Sequence, residues 1–141
     1  MVFEEVFGAL NKARVKYLLI GGYAAILHGA PRSTRDIDIA VSPTGGNLRK
    51  CIRALKTAGL RPDTESVEYI LGQGGVTFEN GTSVDVVTDL PGKMRFEDLW
   101  KRRDAFRFRG ILIKVISKKD LIRIMTTLNR PQDREDMKHL A

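Results

Sequence analysis

Apolar positions in the first fourteen residues recur at helical spacing: Phe3, Val6, Phe7 and Leu10 share one side, while Glu4, Glu5, Asn11 and Lys12 fall elsewhere. This predicts an amphipathic helix over residues 2–14. The pattern then changes to an unbroken apolar run, Tyr17-Leu18-Leu19-Ile20, stopped by Gly21-Gly22, which suits a buried strand. Tyr23 to His28 predicts a short helix closed by Gly29, with Pro31 beyond it. From Asp36 to Val41 the chain alternates: Ile37, Ile39 and Val41 fall on one face of a predicted strand, Asp36 and Asp38 on the other.

After a turn at Pro43 to Gly46, Leu48, Cys51, Ile52 and Leu55 return to helical spacing, and Gly59 and Pro62 end that helix. Val67–Leu71, Val76–Glu79 and Ser83–Val87 read as three strands, the last two joined through Asn80-Gly81, a strong hairpin signal. Phe96 to Arg103 predicts a short helix. Ala105 to Arg109 and Leu112 to Ile116 predict a second hairpin around Gly110-Ile111. Ser117 and Asp120 resemble a capping box ahead of a helix through Leu121, Ile122, Met125 and Leu128, and Pro131 opens a final short helix. The order of elements predicts an α/β (α+β) fold, a mixed β-sheet flanked by helices with a short C-terminal helical tail. With no linker or repeat, residues 1–141 are expected to form one domain.

Composition narrows the picture. Hydrophobic residues make up 43% of 141, enough for a core in one domain. No apolar run reaches the roughly 20 residues of a membrane span. The acidic start of the chain does not resemble a secretory signal, so a cytoplasmic protein is expected. One cysteine, Cys51, excludes an internal disulfide and a cysteine-built zinc site, and its place on an apolar helix face predicts an inert thiol. Lys and Arg number 24 against 17 Asp and Glu, a net +7 that favours polyanionic partners or a merely solvated basic surface.

The candidate chemistry lies in three aspartates. Asp36 and Asp38, two residues apart on a strand, share a face and repel unless a cation stands between them. Mg²⁺, a hard ion with oxygen ligands, answers that requirement. Val84 and Val86 take the core side of their strand, which turns Asp85 to the opposite side; if the two strands are neighbours, the three carboxylates converge. Each piece has an ordinary alternative, because an Asp on a strand is commonly just solvated. Ile20-Gly21-Gly22 at a strand-to-helix turn allows close backbone approach to a phosphate, or is simply a tight connection. Arg32 and Arg35 are placed to neutralise triphosphate charge, or one of them pairs with Asp36 or Asp38. His28 is expected to help close its helix, and Trp100 to pack a satellite core beside the basic run Lys101 to Arg103.

Gly21-Gly22, a spacer of thirteen residues, then Asp36-Ile37-Asp38-Ile39 resembles the signature of the DNA polymerase beta-like nucleotidyltransferase superfamily. GGYAAILHGAPRSTRDIDIAV looks like small members related to AbiEii-type toxins and minimal nucleotidyltransferase-like proteins. Ser83-Val84-Asp85-Val86 is similar to the strand of the third carboxylate, and Ser117 to Ala141, with Arg130-Pro131, Asp133 and Asp136, to the tail. The resemblance implies Mg²⁺ (or Mn²⁺) held by Asp36, Asp38 and Asp85 as catalytic ligands. It also implies an NTP bound at Gly21, Gly22, Arg32, Thr34 and Arg35. The implied reaction moves NMP from the NTP to an acceptor hydroxyl on RNA, tRNA or a protein, within a toxin–antitoxin pair or outside one. Partners so implied are an NTP, an RNA or protein acceptor or an antitoxin; a homo-oligomer is compatible. Two positions depart from the pattern: Gly22 stands where many members carry Ser, and Thr126 where a Lys is expected. The alternatives are a weak or inactive nucleotide- or RNA-binding module and a small-molecule (antibiotic) nucleotidyltransferase. Arg130 and Asp136 join the site if the last helix folds over the sheet; otherwise they cap it.

Overall fold

A computed structural model describes residues 2–140. Met1 and Ala141, the outermost residues of the expected 1–141 domain and tail, lie outside them. Seven strands form one mixed sheet: β1 Tyr17–Ile20, β2 Ile37–Val41, β3 Arg61–Pro62, β4 Gly75–Glu79, β5 Ser83–Val87, β6 Asp104–Phe108 and β7 Ile111–Val115. Their order across it is β3-β4-β5-β2-β1-β7-β6. The helices are α1 Val2–Lys12, α2 Gly21–Leu27, α3 Gly45–Thr57, α4 Val67–Gln73, α5 Phe96–Lys101, α6 Lys118–Leu128 and α7 Pro131–Met137. The expected α/β architecture with a helical tail is the one observed.

β1 is buried along its whole length and lies between β2, antiparallel to it, and β7, parallel to it. That central place explains why its sequence is unbroken rather than alternating. Phe3, Val6, Phe7 and Leu10 of α1 are buried, as are Leu48, Cys51, Ile52 and Leu55 of α3, and the two helices pack on each other. The hydroxyl of Tyr17, deep in this core, donates to Asn11 Oδ1 at 2.8 Å. Burial pushes its pKa up to about 12. Burial likewise drives the Cys51 thiol to about 12, which leaves it an inert core residue. No helix among the described residues is long and apolar enough to cross a membrane.

Three expectations need correction, and one strand was not expected. Val67–Leu71 is not a strand but the body of α4. Ser66 caps it by accepting from the Tyr69 amide, and Gly74 ends it at φ 94°, two local signals that outweigh a short β-branched run. α2 begins at Gly21, directly off β1, rather than at Tyr23. β2 begins at Ile37, so Asp36 stands one residue ahead of the ladder. The two-residue strand β3, which pairs Arg61 with Glu79 and Pro62 with Phe78, is too short to leave a periodic signal.

His28 ends α2. Its Nε2 lies 2.8 Å from the carbonyl of Ile116, which can only accept, so the ring donates there. Trp100 stacks on Phe96 at 5.8 Å between ring centroids, under the Arg103 guanidinium at 3.9 Å.

Candidate active site

β2 and β5 run side by side in parallel, and their register sets Asp38 directly opposite Asp85. On the far side of β5, Thr77 of β4 is the partner of Asp85 and its Oγ1 donates to Asp85 Oδ1 at 2.7 Å. The flanking Ile37, Ile39, Val84 and Val86 are all buried, which turns both aspartates to the other face. There each is half-buried, while Asp36 is exposed.

The Asp38 carboxyl is pushed up to about 6, first by burial, then by the charge of Asp85, by hydrogen bonding with it, and by the charge of Asp36. Arg130 opposes the rise. Two carboxyls that close favour one shared proton or one cation between them.

β1 ends against this pair. At Gly21 the backbone takes φ +68°, and a Cβ there would collide with Asp38 Oδ2. Both observations require glycine. A Cβ at Gly22 would lie 3.0 Å from Arg32 Nη2 and 3.4 Å from Thr34 Oγ1. A hydroxyl and a guanidinium therefore already border the place where many superfamily members are expected to carry a serine.

A cleft of about 600 Å³ joins these groups: Gly21, Gly22, Arg32, Thr34, Asp36, Asp38 and Asp85 all line it. Arg35 does not. Its exposed side chain borders a separate hollow of about 260 Å³ with Phe3, Tyr23 and Thr82, and Thr34 lines both spaces.

The opposite wall is the helical tail. α6 contributes Leu121, Ile124 and Met125, and α7 with its capping residue Arg130 contributes Gln132, Asp133 and Asp136. The last helix thus folds over the sheet while also being capped. Arg130 Nε donates to Asp133 Oδ2 at 2.7 Å and its amide to the same oxygen at 3.0 Å. Arg32 does not pair with Asp36 or Asp38. It forks onto Asp136, with Nε 2.8 Å from Oδ1 and Nη2 2.9 Å from Oδ2, and Gln132 Nε2 adds a third donor at 3.0 Å. The hydrogen bonds from Arg32 to Asp136 raise the Arg32 pKa, and burial opposes them. Thr126 does not line the cleft; its hydroxyl donates to the Ile122 carbonyl at 2.7 Å. The tail's positive charge comes to Asp38 from Arg130 instead. Gln132 carries no signal of its own in the sequence, whereas Asp133 belongs to the tail whose resemblance is noted above.

Among the described residues, no three carboxylate, imidazole or thiolate groups stand gathered as metal ligands. The donor set nevertheless fits a hard divalent cation. It is carboxylate only, Asp38 and Asp85 sit in register on adjacent strands with Asp36 one residue outside, and burial together with the neighbouring carboxylates raises the Asp38 pKa, a cost that a cation would relieve.

The chain matches the model of a family described as aminoglycoside-2''-adenylyltransferase over residues 2–140. The solved structure of the lincosamide antibiotic adenylyltransferase LnuA, bound to lincomycin, is similar at TM-score 0.70 and 16% identity, over 99% of this chain and 94% of that one. A protein of Thermotoga maritima provisionally named a nucleotidyltransferase is similar at TM-score 0.70 and 16% identity, over 97% and 88%. ANT(2'')-Ia in complex with adenylyl-2''-tobramycin is similar at TM-score 0.61 and 14% identity, over 93% and 77%. None of the curated protein sequences compared with the chain matches it. The structures share the fold, the family model spans nearly the whole sequence, and the chain belongs to the aminoglycoside-2''-adenylyltransferase family, within the nucleotidyltransferase superfamily.

Proposed function

We propose that the cleft transfers NMP, in the first instance AMP, from an NTP to a hydroxyl of a small polar acceptor. The register of Asp38 against Asp85, with Asp36 one residue outside the ladder and Gly21 packed on Asp38, carries this reading. Its acceptor class rests on the family and on what its relatives hold: lincomycin in one, an adenylylated tobramycin in another. Asp36, Asp38 and Asp85 would hold Mg²⁺ or Mn²⁺. When bound, the metal lowers the pKa of an acceptor hydroxyl and offsets charge on the leaving pyrophosphate.

The chain's own groups do the rest by position. The backbone of Gly21 and Gly22 lets a triphosphate approach the end of β1 closely. Arg32 and Thr34 stand beside that backbone and offer a guanidinium and a hydroxyl. Thr77, by donating to Asp85, fixes the orientation of that carboxylate. Arg130 holds a positive charge near Asp38 from the tail side. Arg35, outside the cleft, is left for a part of the substrate that reaches past Thr34.

A second reading keeps the same transfer with a macromolecular acceptor, an RNA, a tRNA or a protein. It includes the toxin–antitoxin setting suggested by the likeness to AbiEii-type toxins. The net charge of +7 favours it.

Calorimetric titration with each NTP, with and without Mg²⁺, tests the site. Binding that tightens with metal in the wild type and loses that gain in Asp36→Ala and Asp38→Ala is the expected result. Metal-independent or absent binding overturns it. Transfer of label from α-³²P-labelled NTP to aminoglycosides and lincosamides, and in parallel to total RNA and protein, then separates the acceptors, with Asp85→Asn as the inactive control.

A further inference from the structure

The positive charge of this chain is not spread evenly. The cleft wall is rich in aspartate, and its two arginines, Arg32 and Arg130, are each tied to one. The excess lies elsewhere. Lys16, Arg103 and Lys114 gather on the one indole of Trp100, at 5.7, 3.9 and 5.3 Å from its centroid. Burial and the neighbouring Arg103 both lower the Lys114 pKa.

From Lys16 the charge continues onto α3. The Lys16 amide donates to Asn47 Oδ1 at 2.8 Å, and Asn47 Nδ2 returns a bond to the Lys16 carbonyl at 3.0 Å. Lys12, Lys50 and Arg53 then line a groove of about 410 Å³ between α1 and α3. Arg53 also borders the next groove, of about 510 Å³, with Arg49 and Lys56. The eight cations of this band make two ion pairs among the described residues, Lys16 with Glu97 at 3.9 Å and Lys56 with Glu65 at 2.8 Å. The other six make no ion pair among the described residues.

On α3 this arrangement opposes helix stability. Arg49 and Arg53 are four residues apart, Lys50 and Arg53 three, and like charges at those spacings repel on a helix surface. Nothing in α3 offsets them, because the helix contains no acidic residue.

We propose that this band, running from Trp100 across α1 and α3, is a docking surface for the phosphate backbone of a nucleic acid. An extended row of cations matches an extended row of phosphates, and counterion release supplies the affinity without apolar anchors. A protein partner would ordinarily need such anchors. The exposed large hydrophobic side chains among the described residues are Tyr69, Leu112 and Leu128, and none lines either groove. The indole of Trp100 is covered by Phe96 and Arg103, so base stacking is not its task there. No residue of the band lines the catalytic cleft, so the surface can hold a nucleic acid independently of the transfer chemistry.

Fluorescence anisotropy of a labelled 20-nucleotide RNA of mixed sequence, titrated with the full chain at several salt concentrations, tests this. Binding should weaken steeply with salt. In the triple variant Arg49→Gln/Lys50→Gln/Arg53→Gln it should fall at least tenfold at low salt, and the slope of log K against log salt should become shallower by roughly 2, about 0.7 for each phosphate no longer neutralised. Arg49→Lys/Arg53→Lys, which keeps the charge, should retain most of the binding. Circular dichroism and Mg²⁺-dependent NTP binding should be unchanged in all variants, so a failure here is separable from a failure of the nucleotide site. Absence of RNA binding at low salt, or equal binding by the triple variant, overturns the proposal. Equal competition by polyglutamate overturns it in favour of an acidic protein.

Discussion

Asp38 and Asp85 face each other in register across the parallel strands β2 and β5, and burial, reinforced by the charge of Asp85, raises the Asp38 pKa to about 6. A carboxyl whose folded pKa lies above its unfolded value near 3.8 costs stability once it must ionise in place. Its contribution is full below the unfolded pKa and is lost as pH rises through about 6. Asp38→Asn should therefore stabilise the metal-free protein near neutral pH by on the order of 1–3 kcal/mol. The gain should vanish by about pH 4, while metal-dependent nucleotide binding is lost. Thermal melts of both proteins across that range check it, and a difference that ignores pH sinks the explanation.

Gly21 is the second constraint on the same carboxylate. Gly21→Ala imposes a Cβ at φ +68° and pushes it into Asp38 Oδ2, which is held by strand register and cannot simply swing away. The left-handed backbone alone costs about 1 kcal/mol and the displacement adds to it. Gly22→Ser meets only the end of the Arg32 side chain and the Thr34 methyl and hydroxyl. Urea unfolding should show Gly21→Ala weakened by about 2 kcal/mol or more and Gly22→Ser by less than 1. Mg²⁺-dependent NTP binding should survive only in Gly22→Ser.

Much of this geometry could be read from the chain, and the reasons differ by residue. Alternation placed Asp38 and Asp85 on their faces because a two-residue period admits no other choice once Ile37, Ile39, Val84 and Val86 are buried. That their strands are neighbours is a matter of topology, which no local pattern carries. Val67–Leu71 imitates a strand because five residues are too few to show a distinguishing period, and Ser66 and Gly74 decide it. The partner of Arg32 was invisible for another reason: Asp136 lies 104 residues away, and only the fold of the tail over the sheet brings them together. The expectation of a lysine at position 126 assumed that α6 supplies the charge. The chain supplies it one turn later, from Arg130 at the start of α7.

The Arg32–Asp136 fork ties the segment between α2 and β2 to the tail, and both residues line the cleft. Asp136 is almost wholly buried, whereas Arg32 keeps 27% of its side-chain surface. Arg32→Ala strands a buried carboxylate with Gln132 as its remaining side-chain donor and should cost about 2–3 kcal/mol. The double variant Arg32→Ala/Asp136→Ala removes that charge and should recover part of the loss, for a coupling energy of about 1–2 kcal/mol. Additive losses in a double-mutant cycle by urea denaturation would show the fork to be idle.

The tail itself is anchored by Asp120, whose carboxylate is buried in the first turn of α6. Burial alone would raise its pKa, but hydrogen bonds from Arg102, Ser117 and Arg123 outweigh it and hold the pKa below 3.8. Arg102 Nε lies 2.9 Å from Oδ2, and Arg123 Nη1 lies 3.1 Å from Oδ1. A lowered folded pKa gives stability that is complete above about 3.8 and disappears as pH falls through the folded value. Asp133, held low by Arg130 against its own burial, acts in the same direction. α6 and α7 should therefore loosen first in acid, in the reverse sense to the Asp38 effect, and open the cleft before the sheet unfolds. Asp120→Asn, with no charge to offer either arginine, should cost about 2 kcal/mol at neutral pH and flatten the acid limb of the stability curve. Hydrogen exchange read segment by segment between about pH 5 and 3 checks the order. Protection lost from β1, β2 and β5 before α6 and α7 would contradict it.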